Sequence, residues 1–322
     1  MIESVLADAI RPFWMPGIND ASGKLRAGLG DWFTSGGYQI TQPTKTDAFV
    51  VDVPGSEVIQ LVAAFAADIN RLSTAAFETA VLVNRSTPFP RSTAWLLINT
   101  YYAGFFSAHA ILRILGLSCS QLGAAQVNRI NAVANLFGAT GAPVTKGLYQ
   151  CAFDPVKSTL SCKKIELGGI HESFWSVCHQ RLVSLSNETL LVSNLPVEAK
   201  QLISAKLTDL AAVLASDGSP RGNWLSQIRN RVTYNHQLGV WYPYSGPKKA
   251  ADDLFRQSSM WMKNPLTLSF QSKIPLTRFQ EACLFLVAFC RVVTEDLHAR
   301  CAGGDSFCRY GPGAFLRLLA AG

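Results

Sequence analysis

One short segment of this chain gathers side chains that could do chemistry together: Gln227-Ile-Arg229-Asn230-Arg231-Val-Thr233-Tyr234-Asn235-His236. Arg229 and His236 are seven residues apart. Two turns of α-helix cover about 7.2 residues, so on a regular helix these two side chains share a face. Arg231, five residues before His236, would point elsewhere. An arginine beside a histidine suits phosphodiester cleavage. The guanidinium binds phosphate oxygens in a bidentate way and keeps its charge, so it can stabilise a crowded anionic transition state. The imidazole can move a proton near neutral pH.

Several other chemistries are excluded by their missing signatures. There is no G-x-S-x-G nucleophile elbow and no G-x-x-x-x-G-K-[ST] phosphate loop. The Gly-rich stretch from Gly138 to Gly147 has Lys146 but no Ser or Thr after it. There is no H-E-x-x-H; His171-Glu172 has its next histidine, His179, eight residues on. The eight cysteines are scattered without a C-x-x-C. Cys283 and Cys290 fall in an apolar helical run and read as core. His298, Cys301 and Cys308 match no zinc spacing. No metal and no cofactor is called for.

The surroundings of the Arg–His segment are basic. Of 29 basic and 22 acidic residues, 200–280 holds 11 and 4, which accounts for the whole net charge of +7. No Asp or Glu occurs between Glu78 and Asp154, where Arg85, Arg91, Arg113, Arg129 and Lys146 lie. A localised basic surface points to a polyanionic partner, and its alternative is a solubilising face. The first residues lack a basic stretch followed by an apolar run, so no signal peptide is read. The longest apolar run, Ala282 to Cys290, is about half of a membrane span. The expectation is a soluble, cytoplasmic protein with no membrane contact.

Hydrophobic periodicity predicts the elements that must position these residues. Residues 1–53 show little helical pattern, and Tyr38–Ile40 and Ala48–Val53 read as short strands. A long apolar helix follows Pro54, running from Val58 to Val83 with Ser56 able to cap it, and Thr87-Pro-Phe-Pro90 interrupts. The next helix runs from Ser92 or Thr93 to Leu115. Trp95, Ile98, Tyr102, Phe105, His109 and Leu112 recur on it at helical spacing, with Leu97, Tyr101 and Phe106 opposite, so it is buried on most sides. A helix fits 121–137. Residues 138–170 read as an insertion with a hairpin, 148–153 against 159–165. Helices return at about 171–186, 196–215, 221–238, 249–263 and 276–301. The expected organisation is mainly α: a mixed β and irregular extension over 1–53, a helical domain over 54–301, and a tail over 302–322.

Two stretches resemble the HEPN superfamily, compact helical bundles that include many metal-independent RNases with an R-x(4–6)-H motif. One is Arg229-Asn230-Arg-Val-Thr-Tyr-Asn-His236, which fits as R-x6-H from Arg229 and as R-x4-H from Arg231. The other, Thr100-Tyr101-Tyr102-Ala-Gly-Phe105-Phe106-Ser-Ala-His109-Ala-Ile-Leu112-Arg113, is similar to an aromatic helix common in bacterial members. Arg291 and His298 have the same R-x6-H spacing, but Glu295 and Asp296 would repel a phosphate there.

The resemblance implies a HEPN-like bundle acting as a homodimer, with two motifs facing each other across a cleft. It implies RNA as substrate, attack by the 2′-OH on the adjacent phosphate, and a 2′,3′-cyclic product. Arg229 would hold the phosphate, His236 would transfer protons and Asn230 would position the backbone or the imidazole. Arg231 is the alternative phosphate ligand, with Tyr234 and Asn235 as further substrate contacts. Tyr234 and Trp241 could stack on bases or serve packing. His109, on an aromatic stripe, reads as a satisfied core histidine. A toxin or phage-defence role with an antitoxin or defence-system partner protein is implied, although Gln237-Leu238 follows His236 in place of the H-x-Y that antitoxins modify. The alternative is a non-catalytic module that binds RNA, a nucleotide or a protein.

Overall fold

Helix α4 (Thr93–Ile114) is enclosed on nearly every side, and the other elements are arranged to cover it. Its sequence explains why. Apolar residues fall on all faces, and small ones let neighbours approach: a Cβ added at Gly104 would lie 3.0 Å from Cys283 Cα, in helix α10 (Pro275–Ala299). Helix α3 (Gly55–Arg85) packs along the other side of α4. The structure is a computed structural model and describes residues 2–85, 92–139, 141–165, 168–234, 238–242 and 248–321.

Among the described residues there are eleven α-helices and one four-stranded antiparallel sheet, so the chain is mainly α with a small β part. The remaining helices are α1 (Ile2–Ile10), α2 (Leu29–Ser35), α5 (Ala124–Leu136), α6 (Ile170–Thr189), α7 (Val197–Leu214), α8 (Trp224–Thr233), α9 (Lys248–Gln257) and α11 (Pro312–Ala321). Helices α6 and α7 pair with each other, and α8 packs on α4. None of the described helices is long and apolar enough to cross a membrane.

The hairpin expected within 138–170 forms as β3 (Gly147–Asp154) and β4 (Thr159–Lys164). It is not isolated. Strand β1 (Ala48–Asp52) pairs with β4, and β2 (Leu117–Leu122) pairs with β3, in the order β1-β4-β3-β2. The alternation of buried Phe49 and Val51 with more exposed neighbours puts one face of β1 on the core. Tyr38–Ile40 contributes only a single bridge, Gln39 to Asp52, rather than a strand. The first 53 residues are more helical than their sequence suggested: α1 packs on α10, and α2 on α3 and α5. Residues 302–322 include α11, which lies against α3.

A buried ion pair ties these layers together. Arg113 Nε of α4 donates to Asp68 Oδ2 of α3 at 3.2 Å, and Arg71 binds Asp68 Oδ1 at 2.8 Å. Arg113 Nη1 also donates to His109 Nδ1 at 3.1 Å. His109 stacks on Phe174 with ring centroids 3.7 Å apart, and burial, then Arg113, pushes its basicity well below the ordinary histidine range. It is therefore a neutral, satisfied core histidine. Removing one partner of such a pair strands the other charge in the core. Asp68→Ala is expected to cost about 3–5 kcal/mol in denaturant unfolding; a loss below about 1 kcal/mol would class the pair with exposed ones.

Candidate functional site

Helix α8 carries the Arg–Asn segment, and its apolar face decides where Arg229 goes. Leu225, Ile228 and Val232 are buried at helical spacing, and Trp224 is anchored by its Nε1–H to Asp217 at 2.9 Å. Arg229, four residues after Leu225, is carried inward with them. Its guanidinium carbon lies 5.5 Å from the ring of Tyr101, 6.0 Å from Tyr102 and 5.8 Å from Tyr234. The electron-rich faces of those rings favour a cation there. Nη1 donates to Asn230 Oδ1 at 2.8 Å, and Nε is buried with no hydrogen-bond partner among the described residues.

The charge balance around Arg229 is unusual within this molecule. Three arginines among the described residues are less than a tenth exposed: Arg113 at 6%, Arg229 at 7% and Arg291 at 7%. Arg113 is paired with Asp68, and Arg291 with Glu295 at 3.0 Å. No carboxylate among the described residues pairs with Arg229. A buried, uncompensated guanidinium costs free energy unless an anion arrives to meet it. The second R-x6-H spacing fails on the same criterion, because Arg291 is already held by Glu295 and by the Lys263 carbonyl at 3.1 Å.

The predicted site residues are distributed unevenly. Arg229, Asn230 and Tyr234 come together, with Tyr234 68% exposed beside the guanidinium. Arg231 is exposed on a different side of α8. Asn235 and His236 lie outside the described residues. The helix expected over 221–238 is shorter: it ends at Thr233, with the Tyr234 N–H closing on the Asn230 carbonyl at 2.9 Å. Trp241 has a structural task here. Its Nε1–H donates to the Val232 carbonyl at 2.7 Å, satisfying the end of α8, and its ring meets Trp95 edge-on at 5.5 Å.

A second imidazole, which the sequence did not single out as chemistry, stands in this cluster. His171 lies in the first turn of α6, half-buried against Phe105 at 4.5 Å and Tyr102 at 6.0 Å. Its Nδ1 is 2.9 Å from the Tyr101 hydroxyl, which also accepts the Trp175 Nε1–H at 2.9 Å. Burial, then the nearby Arg229 charge, lowers its pKa to about 4. Burial likewise raises the Tyr101 phenol, so the hydroxyl stays protonated. Arg229 and His171 are 58 residues apart, and no local spacing could have linked them.

Other openings are built differently. A cleft of about 680 Å3 runs between α1 and the α6–α7 connection, lined by Asp8, Arg11, Phe13, Glu188 and Leu191 among others. Its arginine is bound by Asp8 at 2.6 Å and Asp296 at 2.9 Å. No set of three His, Cys, Asp or Glu side chains among the described residues is arranged to hold a metal ion.

Tyr101→Phe leaves the Trp175 indole and His171 Nδ1 without their shared partner and is expected to cost about 1–3 kcal/mol, read by chemical denaturation. NMR titration should show His171 neutral down to about pH 4. The unfolded chain protonates this group nearer about 6.5. Its contribution to stability is thus full above that pH and declines as pH falls toward the folded value. Titration of His171 near its unfolded value would contradict this environment. The chain matches no protein-family model, no curated protein and no solved structure, so its functional reading rests on the geometry of this site and on the motif it contains.

Proposed function

We propose that the protein is a HEPN-type endoribonuclease that cleaves RNA by attack of a 2′-OH on the neighbouring phosphate, without a metal or other cofactor. The observation that carries this reading is the buried guanidinium of Arg229, which among the described residues has no carboxylate partner and no hydrogen-bond partner at Nε. A phosphodiester supplies the missing negative charge, and the guanidinium fork matches its oxygens. The meeting of α8 with the aromatic segment of α4 further supports the reading, because these two stretches carry the resemblance.

In this mechanism Arg229 holds the non-bridging oxygens and stabilises the charge that develops as the 2′-oxygen adds. Asn230 accepts from Nη1 and fixes the guanidinium plane that faces the phosphate. His236 moves the proton to or from the reacting oxygens, in a homodimer that brings two motifs to one cleft. Exposed Tyr234 and Arg231 guide the strand, and Asn235 contributes a further contact. The requirement for a 2′-OH restricts the reaction to RNA. The biological setting in this reading is phage defence or a toxin function in the cytoplasm, with an antitoxin or defence-system protein as partner. A second reading, an RNA-binding module without cleavage, keeps Arg229 and Tyr234 and dispenses with His236. The observation that favours it is the seating of the Arg229 guanidinium 5.8 Å from the exposed Tyr234 ring.

The test is cleavage of a single-stranded RNA by purified protein in EDTA. Arg229→Ala is expected to lower the rate by roughly 10²–10³-fold, and His236→Ala by roughly 10²–10⁴-fold. Binding without cleavage in the wild type would select the second reading. Undiminished cleavage by both variants would remove the site assignment.

A further inference from the structure

We infer that His171 and Arg229 form one phosphate-binding pair within a single chain, in which His171 acts as a neutral hydrogen-bond donor through Nε2–H. This rests on the reading of Arg229 as a phosphate ligand and adds a substrate contact to it.

The hydrogen-bond chain fixes the imidazole. The Trp175 indole can only donate, so the Tyr101 oxygen accepts from it. The single Tyr101 proton is then free for His171 Nδ1 at 2.9 Å. This arrangement satisfies all three groups, and it leaves the imidazole proton on Nε2. The ring is tilted by 39° against Phe105 and stands edge-on to Tyr102, on the aromatic wall that also carries the Arg229 guanidinium.

Charge explains why a neutral partner suits this position. Among the described residues, Arg229 from α8, Tyr101 and Tyr102 from α4, and the buried neutral His109 behind Phe105 are titratable groups that face His171. A second cation beside an unpaired guanidinium would be repelled, whereas an N–H dipole is not. The pair therefore offers one full charge from Arg229 and one uncharged donor from His171. It lies at the start of a 20-residue helix, where the backbone dipole also favours an anion. The site selects a phosphate that can lie against an aromatic wall, and a single-stranded RNA backbone has that character.

The probe is a short single-stranded 2′-O-methyl oligonucleotide, which cannot undergo 2′-OH attack, titrated at several salt concentrations. His171→Ala is expected to weaken binding about tenfold or more, as a lost hydrogen bond to a charged group does. The slope of log K against log salt should not change, because no charge is lost. The loss should be constant between about pH 5.5 and 8, since the imidazole is neutral throughout. Arg229→Gln is expected to weaken binding and to flatten the slope by about 0.7. His171→Gln, which restores an amide donor, should recover most of the affinity and decides the matter if His171→Ala does not fold. Wild-type affinity for His171→Ala would overturn the inference, as would failure of His171→Gln to bind better than His171→Leu. A flattened salt slope for His171→Ala would overturn the neutral-donor assignment. Wild-type affinity and slope for Arg229→Gln would instead refute the phosphate reading itself, whatever His171 does.

Discussion

The burial of α4 on nearly every face governs the rest of the structure. Eighteen of its 22 residues are buried, so its charged and phenolic groups, which the helix alone cannot satisfy, draw in partners from other elements. Arg113 brings in Asp68 of α3, and Asp68 in turn accepts from Arg71 and from the Leu29 backbone at the start of α2. The Tyr101 hydroxyl brings in Trp175 and His171 of α6. Apolar burial supplies most of the driving force, but these few polar contacts determine which helices approach α4 and at what register. A shift of α6 by one residue along α4 would break the Tyr101 contacts and leave an indole N–H unpaired in the core.

Arg229 breaks the pattern that the other buried arginines follow. Arg113 and Arg291 are each matched by a carboxylate. Arg229 meets three tyrosine rings and an amide oxygen. Cation–π contact of this kind contributes about 0.5–2 kcal/mol, which falls short of the cost of enclosing an unpaired charge. Departures from local consistency of this sort concentrate where a protein acts rather than where it merely packs. Three aromatic contacts and a fixed imidazole surround one cation that has no carboxylate partner among the described residues, which is the arrangement the proposed anion site requires.

The elements with strong local signals were legible in the sequence. The periodic stripe of Trp95, Ile98, Tyr102, Phe105, His109 and Leu112 marked α4, and the punctuated segment after Gly138 contained the β3–β4 hairpin. Non-local pairings were not legible. Nothing near Ala48–Asp52 indicates that its partner is Thr159–Lys163, more than a hundred residues later. Helix α1 does carry a signal, since Ile2, Val5, Leu6, Ala9 and Ile10 follow helical spacing, but it is short and followed by a Gly-rich stretch that masks the pattern over 1–53 as a whole. At the site, Arg229 and Asn230 stood out through residue type and spacing. His171 could not, because its role depends on a tyrosine and an arginine from two other helices. Helix α8 is also shorter than its sequence pattern suggests: it ends at Thr233, and the Trp241 indole takes the Val232 carbonyl, a contact that no local pattern signals.

The central claim, that Arg229 is held for a ligand at a cost to the fold, separates stability from function at one position. Arg229→Met preserves volume and removes the buried charge. The denaturant midpoint of this variant, measured beside its affinity for single-stranded RNA, tests the claim most directly. The account predicts a midpoint equal to or above that of the wild type, together with RNA affinity reduced by an order of magnitude or more. A lowered midpoint with RNA affinity unchanged would show that Arg229 serves the fold alone and would contradict the account.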